Sequence, residues 1–373
     1  HMRIAYGVMG YGRGHAMRTG TVLPHLMKHH DVRVFAAADA YKVLAPRFPT
    51  TEIPLFRYHY GDSGRYSLRR TVSRNIKPIA DLLFQLDGMQ TLMNEFAHFR
   101  PDVVISDSEA WTLRAADAMG IPRLSFDHVG IIAHCEPHFP WELRLAGARD
   151  AMGYRYLMGE PERILISSFY PATPKDARTR VIGPLMRDEV LGVTPTQGEH
   201  LLADFNKGEH LFRPQVEEAL RKSDRPVIVY GTDRRGQDDN LLFKAPANAE
   251  FVRDLASAKA VIGTSGNQLA GEAIHFGKPM LALPEDAFEQ RLNAYMIERM
   301  GVGMRRSVSN LHVRDIEDFL AMSPFMRNNM AEHRRDGRAE AQQWLDTYID
   351  ELAGDRARRS VGPAVNGWMA QTA

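Results

Sequence analysis

The chain has 373 residues, of which 44% are hydrophobic and 25% are charged, a composition typical of a folded globular protein. The 47 Lys and Arg residues nearly balance the 46 Asp and Glu residues, so a nucleic-acid partner is not expected. No run approaches the ~18 consecutive apolar residues of a membrane-spanning helix, and the length suits two domains.

Short apolar runs rich in β-branched residues alternate with segments of helical periodicity throughout the chain. In the first half the predicted strands are Arg3–Met9, Val32–Ala37, Asp102–Asp107, Arg123–Asp127 and Arg163–Ser167. In the second half they are Leu201–Phe205, Pro226–Tyr230, Leu241–Lys244, Ala260–Gly263 and Pro279–Leu283. Such continuously apolar runs are typical of strands buried on both faces of a parallel sheet. Their alternation with helices predicts two doubly wound α/β domains.

A segment rich in Gly, Pro and Thr, at residues 183–199, separates the two halves. We place the boundary near Leu185, which gives an N-terminal Rossmann-like domain at 1–185 and a C-terminal one at 186–353. A last helical region, at 324–352, is expected to pack back on the N-terminal domain. The tail at 354–373 lacks apolar periodicity and is expected to be disordered.

The first predicted strand leads into a loop in which Gly10, Gly12 and Gly14 alternate with other residues. Such a loop exposes backbone N–H groups at the start of a helix, where anions and polar ligands bind. The G-x-G-x-G spacing differs from the G-x-G-x-x-G of dinucleotide-binding loops. Asp39, after the second strand, keeps an NAD-dependent oxidoreductase open as an alternative.

His15 follows this loop at the predicted start of the first helix, and Asp107 ends another buried strand. A neutral imidazole in this position can act as a general base near neutral pH. If the two strands are neighbours, the Asp107 carboxylate can hydrogen-bond the imidazole and stabilise its protonated form. Two alternatives stay open for Asp107: it caps the following helix, or it joins Ser108 and Glu109 in a metal-binding acidic triplet.

The second half contains a strand, a small-residue loop and a helix start at Ala260–Ala273. The free N–H groups and the dipole of such a helix start suit a diphosphate. Glu272, inside this helix, is placed to accept hydrogen bonds from ribose hydroxyls, and Glu289 with Gln290 suits the hydroxyls of a sugar. The alternative is an ordinary strand–loop–helix unit whose Gly and Pro residues only shape turns.

With these motifs, the chain resembles the inverting, nucleotide-sugar-dependent glycosyltransferases of the GT-B fold. That group includes the N-acetylglucosaminyltransferase of the lipid II pathway, galactolipid synthases, and macrolide and glucuronosyl transferases. The segments Val181–Pro184, Asn206–Phe212 and Glu272–Pro279 resemble a branch of uncharacterised prokaryotic members. The resemblance covers most of the chain, and its specific part is Gly263–Asn293.

The resemblance implies a function for individual residues of this sequence. The diphosphate would be held after Gly263 by Thr264, Ser265, Gly266 and Asn267, the ribose by Glu272, and the donor sugar by Glu289 and Gln290. His15 would be the base, Asp107 its supporting carboxylate, and Phe243 with Lys244 would flank the nucleotide base. The loop lacks the family's His-Cys-Gly or Gly-Gly opening, and Glu289 stands where Asp is usual. These departures leave the phosphate contacts and the donor sugar open.

A stretch of aromatic and basic residues at 56–77 lies between the second and third predicted strands. Its residues, among them Tyr66, Arg69 and Arg70, suit an anionic lipid headgroup, a phosphorylated acceptor or single-stranded nucleic acid. A solvated loop is the alternative. We assign acceptor binding to these three residues together with Gly12, Arg13 and Gly14 of the N-terminal loop.

We therefore expect an inverting glycosyltransferase that moves a sugar from a nucleotide-diphosphate sugar, with UDP favoured, to a hydroxyl of a lipid, natural product or other acceptor. No obligatory metal or other cofactor is expected, because a helix start stabilises the leaving diphosphate. The histidines at 128, 134 and 138 fit no recognised zinc pattern. A nucleotide-sugar 2-epimerase of the same fold and a non-catalytic nucleotide-sugar-binding protein are the alternatives.

The sequence favours a reducing compartment. Cys135 is the single cysteine, so no intramolecular disulfide can form. His1 is typical of a cloning remnant ahead of a native Met, and we expect no signal segment. We expect a cytoplasmic protein, with peripheral contact at the inner face of the membrane as an open alternative.

Overall fold

The computed structural model describes residues 1–54, 79–137, 139–206 and 210–369, with 79–86 and 359–369 described by their backbone alone. The strands are β1 (Arg3–Val8), β2 (Asp31–Ala36), β3 (Thr50–Glu52), β4 (Val103–Asp107), β5 (Arg123–Asp127), β6 (Arg163–Ser167), β7 (Thr179–Ile182), β8 (Leu201–Asp204), β9 (Val227–Tyr230), β10 (Gly236–Asp238), β11 (Leu241–Phe243), β12 (Ala260–Gly263), β13 (Met280–Ala282) and β14 (Gly303–Arg305). The helices are α1 (Gly14–Met27), α2 (Ala38–Leu44), α3 (Ile79–Phe99), α4 (Ala110–Ala118), α5 (Ile131–His134), α6 (Trp141–Met158), α7 (Asp188–Leu191), α8 (Pro214–Lys222), α9 (Asn248–Ala256), α10 (Asn267–Phe276), α11 (Phe288–Arg299), α12 (Val313–Met330) and α13 (Arg338–Met369). Within the described residues, no helix is long and apolar enough to cross a bilayer.

The first sheet contains parallel strands in the order β3-β2-β1-β4-β5-β6-β7. The chain moves from β1 to one side through β2 and β3 and then returns to β4 on the other side, so the switch point lies between β1 and β4. These two strands pair in register, with Val8 opposite Asp107. Ligands of open α/β sheets bind beyond the strand ends at such a point.

The second sheet has the order β10-β11-β9-β8-β12-β13-β14, with β10 antiparallel to β11 and the other pairs parallel. Its switch point lies between β8 and β12, where Asp204 pairs with Gly263. A Cβ on Gly263 would lie 2.8 Å from the Asp204 carbonyl oxygen, so a side chain does not fit between these strand ends. The two doubly wound sheets confirm the predicted α/β fold class.

Every predicted strand is present, and the structure adds four short ones: β3, β7, β10 and β14. All four are the outer strands of the two sheets. An outer strand has a neighbour on one side only and needs no continuous apolar run. Thr50–Glu52 and Gly236–Asp238 accordingly contain polar residues and contain no buried side chain.

The last helical region, predicted as one unit at 324–352, is two helices. The first, α12, packs on the core of the second sheet through Ile316 and Phe319. The second, α13, crosses back to the core of the first sheet through Leu345 and Ile349. It also continues past Gly354, where the sequence predicted disorder, and Arg356 donates a hydrogen bond to the Pro101 carbonyl at 2.8 Å.

The chain crosses from the first sheet to the second and later returns, and the two connecting segments touch each other. The outgoing segment contains Gly183 and Pro184, and the returning segment contains Gly337, whose N–H donates to the Pro184 carbonyl at 2.8 Å. A Cβ on Gly337 would lie 2.2 Å from the Gly183 carbonyl oxygen. Only glycine allows this approach, which explains why the helical pattern is interrupted here.

Candidate active site

A cavity of about 810 Å³ lies where the carboxyl ends of the two sheets face each other. The first sheet contributes residues 12–15 of the glycine-rich loop, and the second contributes Asp204, part of the loop before α10 and the start of α11. Because the lining comes from both switch points, a single ligand can contact both domains at once.

His15 is held by Asp107 from the neighbouring strand end. His15 Nδ1 lies 2.7 Å from Asp107 Oδ1, and Arg18 donates to both carboxylate oxygens, at 2.7 Å and 2.9 Å. Asp107 and Arg18 are buried, whereas 21% of the His15 side chain is exposed. The contact expected between His15 and Asp107 is therefore present, at the wall of the cavity.

The charge state of Asp107 fixes the tautomer of His15. Burial disfavours the ionised carboxyl, but the charges of Arg18 and His15 outweigh it and hold the pKa of Asp107 below its usual range. An ionised carboxylate only accepts hydrogen bonds, so His15 Nδ1 carries a proton and donates it. In the neutral imidazole Nε2 is then the unprotonated nitrogen, and no described residue hydrogen-bonds it.

Arg18 also belongs to this group, but it was not predicted from the sequence. It lies one helical turn after His15, so both side chains share one face of α1. The H-x-x-R spacing at a helix start is the sequence signal that indicates it. The other two residues of the 107–109 segment act elsewhere, because the Glu109 side chain caps α4 and Ser108 donates to Asp127. The triplet therefore does not converge on one point.

The loop before α10 offers its backbone to the cavity. Thr264 and Gly266 line the cavity, while Gly263 lies behind them at the strand end. Helix α10 has no side-chain cap, so the N–H groups of its first turn have no partner within the helix. These groups give the diphosphate expected here a set of backbone donors.

Two other residues expected at the diphosphate have their side chains engaged in the protein. The buried Ser265 hydroxyl donates to the Gln290 carbonyl, and the Ser265 N–H donates to Gln290 Oε1 at 3.0 Å. Asn267 accepts from the Phe169 N–H at 2.9 Å and donates to the Ser167 carbonyl at 3.2 Å. Gln290 thus shapes the loop, and Asn267 connects α10 to the first sheet.

Glu272 lines the cavity but is already paired with Arg187, a residue of the connection between the sheets. Arg187 Nη2 lies 2.6 Å from Glu272 Oε1, and Gln268 donates to Oε2 at 3.1 Å. Arg187 and Glu272 are both more than nine-tenths buried, and among the described residues Arg187 Nη1 has no hydrogen-bond partner. Glu272, the residue expected to bind the ribose, therefore belongs to a buried ion pair. The sequence did not predict this pair.

Glu289 is the centre of a second network that crosses the cleft. Asn293 donates to Glu289 Oε1 at 2.9 Å, and His128, from the first sheet, lies 3.1 Å from Asn293 and 3.6 Å from Glu289. Burial, assisted by nearby Glu285, raises the pKa of Glu289 to about 7. The carboxyl is therefore poised to hold or release a proton near neutral pH.

The nucleotide base is expected at one end of the cavity. The residues that line this end follow the predicted ones in the chain. Phe243 is buried beneath Arg234, and Lys244 pairs with Asp254 at 2.8 Å, so neither side chain lines the cavity. The wall is instead formed by the following turn and helix, with Pro246 and Phe251. The cavity lining begins two residues after the predicted pair, at Pro246.

The comparisons with known proteins agree with this geometry. The family model described as Glycosyl transferase family 1 matches residues 2–324. The chain belongs to this glycosyltransferase family. An uncharacterised glycosyltransferase of Methanosarcina acetivorans is 26% identical over 336 residues, which are 83% of this chain and 86% of that protein.

Solved glycosyltransferases share the fold. The glycotransferase of kitacinnamycin superposes with a TM-score of 0.65 at 17% identity, covering 94% of this chain and 99% of that one. LpCGTa in complex with UDP gives the same TM-score at 16% identity, with the same coverage of 94% and 99%. The protein is thus a GT-B glycosyltransferase, as the resemblance implied.

Of the residues predicted to bind the acceptor, Gly12, Arg13 and Gly14 line the cavity. Tyr66, Arg69 and Arg70 lie outside the described residues, as does His138. His128 lines the cavity, whereas neither nitrogen of buried His134 has a hydrogen-bond partner in the part of the chain that the structure describes. Within the described part of the chain, no three His, Cys, Asp or Glu side chains are grouped to hold a metal ion.

Proposed function

We propose that this glycosyltransferase moves a sugar from a nucleotide-diphosphate sugar, UDP-linked by preference, to a hydroxyl of a lipid, natural product or other acceptor. The acceptor oxygen forms a bond to the anomeric carbon while His15 Nε2 takes its proton. The bond from that carbon to the diphosphate breaks, and its electron pair leaves with the diphosphate. Attack from the face opposite the leaving group inverts the configuration at this carbon.

The observation that supports this mechanism best is the pairing of His15 with Asp107 at the cavity wall. The ionised carboxylate orients the ring, leaves Nε2 free for the acceptor proton and stabilises the imidazolium that forms. Arg18 keeps Asp107 ionised, because its charge lowers the pKa of this carboxyl. The three residues together have the properties that general-base catalysis requires.

The donor side supports departure of the diphosphate without an obligatory metal ion. The uncapped start of α10 supplies backbone donors and the positive end of a helix dipole. Arg187, whose charge is paired with Glu272, also lines the cavity and has one nitrogen that no described residue hydrogen-bonds. Glu272 is proposed to accept from the ribose, and Glu289 with Gln290 to contact the donor sugar.

A nucleoside diphosphate fits the size of the site. The cavity of about 810 Å³ is within the range of ~300–1,000 Å³ that is common for small-molecule pockets. LpCGTa, which has the same fold, was solved with UDP. We therefore propose UDP as the nucleotide and retain TDP and GDP as the competing possibilities to be measured.

The donor assignment is tested by calorimetric titration of the protein with UDP, TDP and GDP, each with and without EDTA. We expect UDP to bind most tightly and the chelator to leave its affinity unchanged. Failure of all three nucleotides to bind would contradict the proposed donor class, and loss of binding in EDTA would contradict metal independence.

The reaction is tested by screening nucleotide sugars for slow hydrolysis and then supplying acceptors to the best donor. The configuration of the product at the anomeric carbon is read by NMR. We expect it to be opposite to that of the donor. Retained configuration would overturn the inverting mechanism, and a 2-epimer formed without acceptor would favour the epimerase alternative.

A further inference from the structure

Helix α6 exposes four large apolar side chains that have no role in the cavity. The exposed fractions are 76% for Trp141, 66% for Leu145, 73% for Met152 and 78% for Tyr156. Exposed apolar residues are ordinary when they are scattered, but four on one helix form a defined surface. We call these four residues the α6 stripe.

The stripe is narrow and runs along the whole helix. At about 100° per residue, its four positions fall within an arc of about 60°, and 15 intervening rises of ~1.5 Å make it about 22 Å long. The opposite face of α6 is buried through Gly147, Asp150, Tyr154 and Met158. Folding of the protein core therefore does not require the stripe, and the packed face holds it in position.

The residues beside the stripe are mainly cationic. Arg144 and Arg149 are exposed on the same helix, and Arg114 lies over the Tyr156 ring at 5.5 Å. Glu142 is the one exposed acid of α6 within its described side chains. An apolar strip with aromatic residues at its ends and arginines along its sides matches the interfacial region of an anionic bilayer.

A stable contact with a second copy of this chain requires more surface than the stripe offers. Specific protein interfaces use about 20–30 residues on each partner, whereas the stripe and its flanking charges comprise only a few. Contact with lipid has no such minimum, because a few inserted side chains and nearby cations contribute additively. The size and the charge of the surface therefore favour a membrane over a protein partner.

We propose that the α6 stripe docks this glycosyltransferase on the surface of a bilayer that contains anionic lipids. Trp141, Leu145, Met152 and Tyr156 insert among the headgroups, and the flanking arginines contact lipid phosphates. Asp150 and Met158, on the opposite face of the helix, line the cavity. Docking therefore brings the cavity to within about one helix diameter, ~10–12 Å, of the bilayer.

The test is sedimentation of the full chain with vesicles of phosphatidylcholine alone or mixed with phosphatidylglycerol, without nucleotide sugar. We expect the wild type to bind the mixed vesicles and added salt to weaken binding. The double variant Leu145→Glu/Met152→Glu is expected to reduce partitioning about 10-fold or more, because it removes two apolar groups and adds two anions. Arg144→Gln/Arg149→Gln is expected to lower binding to the mixed vesicles by about 10-fold.

The matched control is Phe325→Glu, at a 64% exposed apolar residue of α12, which should bind vesicles like the wild type. Absence of wild-type binding, or unchanged binding by the double variant at Leu145 and Met152, would overturn the proposal. A dimer in light scattering that this variant makes monomeric would also overturn it, in favour of contact between copies. The same variant is expected to retain donor hydrolysis. A failure of the membrane-docking proposal can therefore be distinguished from a failure of the proposed reaction.

Discussion

Arg187 and Glu272 form a buried ion pair, with Nη2 and Oε1 2.6 Å apart, between the connection of the two sheets and helix α10. Three hydrogen bonds from Arg187 and one from Gln268 reach the carboxylate, which has about four acceptor positions. If Glu272 binds the ribose as proposed, a ribose hydroxyl has to share or replace one of these contacts. Donor binding would then be linked through this pair to the position of the connection.

Replacement of Glu272 by Gln is expected to weaken UDP binding about 10- to 100-fold, because hydrogen bonds to a charged group contribute about 1.5–3 kcal/mol. Calorimetry measures the affinity, and thermal unfolding shows whether the variant is folded. Gln268→Ala is the control, since it keeps the ion pair and frees one acceptor position. Wild-type affinity in a folded Glu272→Gln protein would show that this carboxylate does not contact the ribose.

Replacement of His15 by Ala is expected to lower turnover by about 10²–10⁴, the usual contribution of a general base, without changing the affinity for UDP. Steady-state kinetics with an identified substrate pair measures the effect. His25→Ala is the matched control, because His25 lies on the same helix and pairs with Asp346 away from the cavity. A loss below about 10-fold in His15→Ala would contradict the role as base.

Replacement of Arg18 by Met is expected to reduce the free energy of unfolding by about 3–5 kcal/mol at pH 7, because it leaves the buried Asp107 carboxylate without its main cation. In the wild type the lowered pKa of Asp107 stabilises the fold above the unfolded value of about 3.9, and this stabilisation disappears as the pH falls through the folded value. The difference between the two proteins should therefore persist down to about pH 4 and shrink below it. Urea unfolding across this range measures it, and a difference independent of pH would count against the ion pair as the cause.

Glu289 predicts the opposite pH dependence. Its pKa is raised from 4.5 to about 7, so the folded protein holds a proton that the unfolded chain has already released between these values. The contribution of Glu289 to the free energy of unfolding should therefore decrease as the pH rises through this range. The expected decrease is on the order of 2 kcal/mol, a value reduced because the side chain is partly exposed. Glu289→Gln should lack this component. If the melting temperatures of the wild type and Glu289→Gln change with pH in the same way between pH 5 and 8, the raised pKa of Glu289 is refuted.

Replacement of Gly337 by Ala is expected to destabilise the protein by about 1–3 kcal/mol, because the added methyl group meets the Gly183 carbonyl oxygen at 2.2 Å. Gly354→Ala, within α13, is the matched control: its nearest contact would be 3.8 Å from Arg358, and Ala is favoured over Gly in a helix by about 1 kcal/mol. Thermal unfolding should therefore move in opposite directions for the two variants. An equal or higher melting temperature for Gly337→Ala would show that the crossing can relax.

The sequence was sufficient to predict the two sheets and the His15–Asp107 contact. Both depend on local signals: buried strands are continuously apolar, and polar residues at neighbouring strand ends meet at one edge. Arg18 was equally accessible through its spacing from His15. The outer strands were missed because half-exposed strands of three or four residues have no distinctive composition.

The contacts that cross the cleft could not be predicted in the same way. Arg187 with Glu272, and His128 with Asn293, join residues 85 and 165 positions apart that belong to different parts of the fold. Which of them meet depends on how the two sheets are placed against each other, and this placement leaves no periodicity in the chain. The internal hydrogen bonds of the Ser265 and Asn267 side chains could not be predicted for the same reason, since both hold parts of the protein together.

The two passages between the sheets touch at Gly183, Pro184 and Gly337. Because both connections pass through this one point, it would be the pivot of any rotation of one sheet against the other. Such a rotation would change the distance between His15 and the start of α10, which line the cavity from opposite sheets.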